Sequence, residues 1–300
     1  MKIFIAGGTG FVGSVVSQKI KESGASVTLL ERNEKKLSSL KKAGYDIFEG
    51  TLENKESLDK YLSENRFDAL INLIGIIKSL PDFTFRKVHV DYVKIFIELA
   101  KKNGINRILH MSALGASEYS NAEYFITKYE GEKLIEDSGL VWTIFKPSLI
   151  FGDNAGFFDD LINLIRTRFF VPVIGTGDTK FAPIDVFSVA KAYTEALSNK
   201  AAFNKSFQLC GPDIITFEGI IDLIMEISPP KKIKIHAPSL IAEKAVSFFE
   251  KIAALPGLPI TSDQIKMLKT DNICAAGMEE NDKLFGLNRL RLKDWLKEYL

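Results

Sequence analysis

An apolar run is followed at once by glycines in the stretch Lys2-Ile3-Phe4-Ile5-Ala6-Gly7-Gly8-Thr9-Gly10-Phe11-Val12-Gly13. The glycines match G-x-G-x-x-G, with Gly8, Gly10 and Gly13, and also G-x-x-G-x-x-G, with Gly7 as the first member. In such a turn one glycine permits the tight bend from strand to helix, a second lets the backbone approach a pyrophosphate, and the last lets helix and strand pack closely. The following helix directs free N–H groups toward the phosphates. The stretch therefore predicts a dinucleotide-binding turn formed by Gly7, Thr9, Gly10, Phe11, Val12 and Gly13.

Segments typical of strands and of helices alternate through the first half of the chain. Apolar and β-branched residues in succession predict buried strands at 2–6, 26–30, 45–48, 68–73, 106–111 and 141–145. Amphipathic stretches predict helices at 12–23, 33–42, 54–63, 85–103 and 122–138. This alternation predicts βαβ units and an α/β fold with a doubly wound parallel sheet, the Rossmann arrangement.

The second half of the chain lacks this regular alternation. Loop signals at 152–154 and 175–178 and the pair Pro229-Pro230 interrupt it. We therefore expect a dinucleotide-binding domain at 1–150 and a smaller C-terminal lobe at 151–300 that contacts substrate or partner. A strand at 206–210 is predicted to return from this lobe to the sheet.

Composition excludes several classes of protein. Apolar residues make up 46 % and charged residues 26 % of the 300 residues, as in a folded globular chain. The net charge of +1 gives no strong field for nucleic acid or an acidic membrane. No apolar run is long enough for a signal peptide or a transmembrane helix. The two cysteines, Cys210 and Cys274, are far apart and lack metal-ligand spacing, so we expect neither a disulfide framework nor a metal site, and a reducing, cytoplasmic compartment.

The end of the second predicted strand contains two residues that favour different cofactors. Glu31 can accept hydrogen bonds from an adenosine 2′-hydroxyl, which favours NAD. Arg32 can pair with a 2′-phosphate, which favours NADP. These residues alone leave the choice open.

A serine, a tyrosine and a lysine follow the fifth predicted strand. Ser112 ends that strand, Tyr124 comes twelve positions later, and Lys128 lies one helical turn beyond Tyr124 on the same face. An ammonium group near a phenol favours the phenolate, so Tyr124 is predicted to exchange a proton with an alcohol or carbonyl. Lys128 can also bind ribose hydroxyls, and Ser112 can orient the substrate oxygen. These three residues are the candidate catalytic set.

Together these motifs resemble the short-chain dehydrogenase/reductase superfamily. More narrowly, the chain is similar to the atypical branch that contains the nucleotide-binding accessory subunit of respiratory complex I and its bacterial relatives. The resemblance covers nearly the whole chain. The stretches that carry it are 71–75, 88–90, 110–116, 124–133, 146–152 and 261–264.

The resemblance implies a bound NAD(P)(H), and together with Arg32 it slightly favours NADP(H), which Glu31 opposes. It places Tyr124 and Lys128 at the nicotinamide ribose and Pro147 near the nicotinamide ring. Leu52 and Gly75 are further candidates for contact with the dinucleotide. Two features depart from the family pattern: Glu31 is acidic, and Gly50-Thr51-Leu52 replaces the usual Gly-Asp-Leu, so an aspartate contact to adenine is missing.

Two functions of different class remain open. The resemblance favours a cofactor-stabilised binding or assembly protein, with a respiratory complex or a membrane surface as partner. The alternative is an active NAD(P)-dependent oxidoreductase that acts on a small carbonyl, alcohol or quinone, with Tyr124 as proton donor or acceptor. The amphipathic stretch 239–255 is a candidate contact to a partner or to the cytoplasmic face of a membrane.

Overall fold

The computed structural model describes residues 1–228, 232–240, 243–244, 246–247, 261–275 and 278–300. The strands within these residues are β1 (Lys2–Ala6), β2 (Ser26–Glu31), β3 (Asp46–Glu49), β4 (Ala69–Asn72), β5 (Arg107–Met111), β6 (Val141–Pro147), β7 (Ile150–Phe151), β8 (Phe170–Ile174), β9 (Lys180–Phe181), β10 (Ile184–Asp185), β11 (Lys205–Leu209), β12 (Ile215–Thr216) and β13 (Ile233–Ala237). The α-helices are α1 (Phe11–Glu22), α2 (Glu34–Lys42), α3 (Lys55–Asn65), α4 (Tyr92–Lys102), α5 (Glu123–Glu136), α6 (Gly156–Thr167), α7 (Val186–Ala196), α8 (Phe217–Ile227), α9 (Ser262–Met267), α10 (Met278–Phe285) and α11 (Leu292–Tyr299).

A seven-stranded sheet in the order β11-β6-β5-β4-β1-β2-β3 forms the centre of the molecule. Every neighbouring pair in it is parallel. The chain builds outward from β1 to β3 and then continues on the other side of β1 with β4, so the strand order reverses between β1 and β4. In such sheets the ligand site lies at this reversal, outside the carboxyl ends of the strands. The predicted doubly wound parallel sheet is confirmed, and the strand predicted at 206–210 is its edge strand β11.

Helices cover both faces of the sheet, because the strands are apolar on both sides. On one face, α1 and α7 bury Val16 and Tyr193 in the same cluster as Ile5 of β1. On the other face, α4 buries Phe96 in the same cluster as Phe4. Each fully buried large apolar side chain contributes roughly 1.5–3 kcal/mol. These two cores fix the position of β1 and therefore of the glycine turn that follows it.

The helix predicted at 85–103 is divided in two. A π-helical turn, Lys87–Asp91, precedes α4. His89 lies in this turn, accepts a hydrogen bond from the Ile76 N–H through Nε2 at 3.2 Å, and bonds the Thr127 hydroxyl through Nδ1 at 3.0 Å. A Cβ on Gly131 of α5 would lie 2.5 Å from the His89 carbonyl oxygen. The π turn therefore packs directly on α5, and π turns often occur at functional sites.

The sequence predicted no disulfide framework, but the two cysteines are paired. Cys210 and Cys274 form a disulfide across 64 residues of chain, with their Cα atoms 6.0 Å apart. The reason is topological: the end of β11 and the segment after α9 meet at the carboxyl edge of the sheet. There the Asn272 side chain also donates a hydrogen bond to the Leu114 carbonyl at 2.7 Å. Sequence separation alone did not indicate this proximity.

Two features noted in the sequence lie partly or wholly beyond what the structure describes. The pair Pro229-Pro230 and most of 239–255 fall outside the described residues. Within the described part of the chain, no helix has the length and apolar character required to cross a bilayer.

Candidate functional site

The glycine turn joins β1 to α1 and forms a compact cradle. Gly7 has a φ of +80°, and its carbonyl accepts a hydrogen bond from the Gly10 N–H at 3.3 Å. A Cβ on Gly13 would lie 2.0 Å from that same carbonyl oxygen, so no side chain fits there. Helix α1 begins directly after Gly10, and the first N–H groups of a helix have no partner within it. The start of α1 therefore has backbone donors without a partner in the helix, and binding of a pyrophosphate by Gly7, Thr9, Gly10, Phe11, Val12 and Gly13 stays a prediction.

Glu31 ends β2, the strand next to β1, and is 6 % exposed. Its Oε1 accepts a hydrogen bond from the Asn33 N–H at 2.7 Å. Its Oε2 is buried and has no hydrogen-bond partner within the described chain. A buried oxygen without a partner is costly, and a ligand hydroxyl would satisfy it. The residue thus fits the ribose diol of a dinucleotide.

Arg32 does not lie against Glu31 but against an aromatic ring. Its guanidinium carbon is 4.4 Å from the centre of the Phe83 ring, in the segment between β4 and the π turn. Such a cation–π contact contributes about 0.5–1 kcal/mol at an exposed site. Arg32 is exposed, and the stacking brings the segment around Phe83 next to the end of β2.

The remaining predicted contacts lie at the carboxyl ends of β3, β4 and β6. Leu52 is 1 % exposed, and its side chain belongs to the core, so only its backbone is available to a ligand. Gly75 is exposed, and a Cβ there would lie 3.1 Å from the Lys128 Nζ. Pro147 is buried at the end of β6, where its carbonyl accepts a hydrogen bond from the Leu114 N–H at 2.9 Å. The sheet thus brings these residues to the same edge as the glycine turn.

Tyr124 and Lys128 lie on one face of α5, as predicted, with the Lys128 Nζ 6.0 Å from the centre of the Tyr124 ring. The tyrosine ring makes edge contacts with Phe85, His89 and Phe125. Burial in these surroundings raises the pKa of Tyr124 to about 12. This direction is opposite to the one predicted from the sequence, because desolvation of the phenolate outweighs the effect of the ammonium. Tyr124 is therefore a protonated donor at neutral pH.

Lys128 is almost completely buried, and its Nζ donates a hydrogen bond to the Met111 carbonyl at 3.0 Å. Burial lowers its pKa to about 8, and the charge of Glu132 opposes this shift. His89 and His110 lie nearby and are neutral, because burial and the charge of Lys128 lower their pKa values to about 2 and about 3. The charge of Lys128 consequently changes close to physiological pH.

Ser112 is not directed toward Tyr124. Its hydroxyl is buried and donates a hydrogen bond to Oε1 of Glu132 on α5. The other oxygen of Glu132 pairs with Lys146 of β6 at 2.9 Å. Ser112 therefore links the end of β5 to α5, and its hydroxyl proton is donated to the Glu132 carboxylate. The role of Ser112 in orienting a substrate oxygen stays a prediction.

Sequence reasoning missed three residues at this edge. Phe83 stacks on Arg32. Lys36 of α2 donates a hydrogen bond from Nζ to the Thr9 carbonyl at 3.4 Å. Asp263 of α9 accepts a hydrogen bond from the Glu123 N–H at 2.7 Å. Asp263 lies in the stretch 261–264 that carries the resemblance, but no local pattern indicates any of these three contacts, because each is made with a segment distant in the sequence.

Comparison with known proteins identifies a family. Residues 7–157 match the family model described as NAD(P)H-binding. The mitochondrial 40 kDa subunit of NADH-ubiquinone oxidoreductase from Neurospora crassa is 26 % identical over 241 residues, which are 76 % of this chain and 63 % of that subunit. The photosystem II assembly factor Ycf39 of Cyanophora paradoxa is 29 % identical over 237 residues, or 76 % of this chain and 69 % of that protein. The chain thus spans less than two thirds of the Neurospora subunit.

Solved structures agree in fold. An NADPH-dependent quinone oxidoreductase from Escherichia coli, solved with NADPH, superimposes with a TM-score of 0.78 at 19 % identity, covering 99 % of both chains. At this identity the likeness concerns the fold alone. The curated relatives confirm the predicted resemblance to the accessory subunit of respiratory complex I, and the solved structure agrees with the Rossmann fold.

Proposed function

This chain belongs to the NAD(P)H-binding family, and from that premise we propose that it is a cofactor-stabilised binding or assembly protein that binds NAD(H). The glycine turn would bind the pyrophosphate, Glu31 the adenosine ribose, and Tyr124 and Lys128 the nicotinamide ribose. The choice of cofactor rests on one observation. The Oε2 atom of Glu31 is buried and has no hydrogen-bond partner within the described chain.

NAD(H) is favoured over NADP(H) for an electrostatic reason. A 2′-phosphate would place its negative charge beside the Glu31 carboxylate in a poorly solvated place, whereas a 2′-hydroxyl donates a hydrogen bond to it. Arg32, the residue that would pair with the phosphate, is stacked on Phe83. The slight preference for NADP(H) drawn from the resemblance and Arg32 is therefore replaced by a preference for NAD(H).

Glu31→Gln tests this preference. We expect the wild type to bind NADH at least about tenfold more tightly than NADPH, since one good charge-assisted hydrogen bond contributes roughly 1.5–3 kcal/mol. Glu31→Gln should lose most of this difference in affinity between NADH and NADPH. Arg32→Ala should not selectively weaken the binding of NADPH. Fluorescence titration with both cofactors measures the two affinities. Glu34→Gln, at an exposed residue of α2, is the control. A wild type that prefers NADPH and loses that preference in Arg32→Ala would reverse the assignment.

The C-terminal part of the chain, 151–300, presents an apolar surface suited to a partner. Strands β8 and β13 pair in parallel, with Phe170 opposite Ile233 and Pro172 opposite Ile235, and all four of these side chains are exposed. The alternate residues of β8, Val171 and Val173, are fully buried in the core. The exposed face thus consists of apolar residues, and exposed apolar faces of this kind mark interaction sites.

We propose that a subunit of a membrane-bound respiratory NADH:quinone complex covers the β8–β13 face, which would place the chain peripherally at the cytoplasmic face of the membrane. Support comes from the Neurospora relative, whose name states that it is a subunit of NADH-ubiquinone oxidoreductase. The NAD(H) in this proposal stabilises the chain and is not turned over.

Ile233→Glu tests the partner proposal. Because Ile233 is 73 % exposed, the change should leave folding intact while it places a charge in the contact. We expect the variant to lose most of its association with the respiratory complex, about tenfold or more, in membrane fractionation followed by native electrophoresis. Ile214→Glu, at a side chain that is 63 % exposed elsewhere, is the control. A wild type that never comigrates with the complex, or an unaffected variant, contradicts the proposal.

A second candidate function is an oxidoreductase, which the pairing of Tyr124 with Lys128 favours. No hydrogen bond to the Tyr124 hydroxyl is found among the described residues, so it is available to a substrate oxygen. A bound NADH would supply the hydride to a carbonyl or quinone. Tyr124 donates the proton to the oxygen, and the Lys128 ammonium, whose pKa is about 8, restores the proton.

A further inference from the structure

The helix that contains Tyr124 and Lys128 has no N-terminal cap of its own. Its N-cap position is Ala122, which offers no side-chain acceptor. By contrast, α2, α7, α8 and α9 are capped by the side chain that directly precedes each of them. The free N–H groups at the start of α5 therefore need an acceptor from elsewhere.

Asp263 provides that acceptor from a segment 140 residues farther along the chain. Its Oδ1 accepts from the Glu123 N–H at 2.7 Å and its Oδ2 from the Tyr124 N–H at 3.1 Å. The second bond is made to the backbone of the candidate catalytic tyrosine itself. A carboxylate at a helix N-terminus is also favoured by the helix dipole.

Asp263 lies in a hydrogen-bonded turn at the start of α9. Thr261 and Gln264 form a reciprocal capping box, with bonds of 2.8 and 3.2 Å, at the start of α9. At the other end of α9, Met267 packs with Tyr124 against the cluster formed by Ala113, Ala122 and Phe125. Helix α9 thus bonds the Tyr124 backbone through Asp263 and packs, through Met267, against the same cluster as the Tyr124 side chain.

We propose that Asp263 is a positioning residue, which sets the place of Tyr124 and Lys128 from the C-terminal part of the chain. The inference rests on the proposed function, because it assigns the consequence to the nicotinamide half of the cofactor. Without the cap, the first turn of α5 frays, and Tyr124 and Lys128 are no longer held next to each other on one face of the helix. The adenosine half, bound by the glycine turn and Glu31, is not affected.

The test compares NADH with ADP, which lacks the nicotinamide ribose. In Asp263→Ala we expect NADH affinity to fall about fivefold to tenfold, the equivalent of a lost N-cap, while ADP affinity stays within about twofold. Asp263→Asn, which retains one acceptor oxygen, should show an intermediate loss. Asp271→Ala is the matched control, since Asp271 makes the same kind of bond to the Lys180 N–H at 2.9 Å, away from α5.

Amide hydrogen exchange provides a measurement that needs no cofactor. Asp263→Ala should accelerate exchange in the first turn of α5, and Asp271→Ala should not. If the wild type binds NADH and Asp263→Ala leaves both the NADH to ADP ratio and the exchange unchanged, the positioning role is overturned while the proposed function stands. If the wild type binds NADH no more tightly than ADP, the nicotinamide half adds no affinity. The function assigned to Tyr124 and Lys128 and the positioning role of Asp263 then both fail.

Discussion

Gly13→Ala is expected to abolish dinucleotide binding, with a loss of affinity of at least about 100-fold. The added methyl group would lie 2.0 Å from the Gly7 carbonyl oxygen, far inside contact distance. Because the obstacle is backbone and not a flexible side chain, the turn itself must shift. The backbone donors at the start of α1 then no longer converge on one anion. Calorimetric titration with NADH measures the loss.

The control for this change is Gly156→Ala, where no atom lies within 4 Å of the added Cβ. That variant should bind NADH as the wild type does. Thermal unfolding of both variants separates loss of binding from loss of fold. A Gly13→Ala protein that is folded and binds NADH normally would show that the glycine turn is not the phosphate site.

Tyr124→Phe is expected to lower any single-turnover oxidation of NADH by carbonyls or quinones by about 10²–10⁴-fold, the usual contribution of a positioned proton donor. Since the pKa of Tyr124 is about 12, the phenol stays protonated throughout the working pH range. NADH affinity should fall by no more than about tenfold, because the variant loses one hydroxyl contact to the nicotinamide ribose while the ring and its packing remain. Equal rates in the variant and the wild type would remove the oxidoreductase proposal in this form.

The pH profile of that reaction should report Lys128. Burial places its pKa at about 8, so the ammonium that restores the Tyr124 proton is present below this pH and lost above it. The rate of carbonyl reduction is therefore expected to fall as pH rises through about 8. Lys128→Met should be slow at every pH and show no such inflection. A wild-type rate that rises with pH over this range would contradict the assignment.

Local sequence patterns were sufficient to predict those parts of the candidate site that are formed by residues close together in the sequence. The glycine spacing predicted the turn between β1 and α1, and the spacing of Tyr124 and Lys128 placed them on one helix face. Glu31 was identified because the end of the second strand is a fixed place in this fold.

The remaining features depend on contacts between distant segments and on burial, which local patterns do not encode. Asp263 caps a helix 140 residues away, and Cys210 meets Cys274 only because the sheet edge brings them together. The hydrogen bond from Ser112 to Glu132 was not predicted, because Glu132 lies on the following helix. The direction of the Tyr124 pKa shift was mispredicted because desolvation by the surrounding rings is a property of the packed site.

The central claim is that the turn after β1 and the carboxylate at the end of β2 together bind a nicotinamide dinucleotide. Isothermal titration calorimetry of nucleotide-free protein with NADH and NADPH tests it most directly. We expect saturable binding of NADH at one site per chain, with clearly weaker binding of NADPH. Absence of heat with either cofactor at millimolar concentration would contradict it.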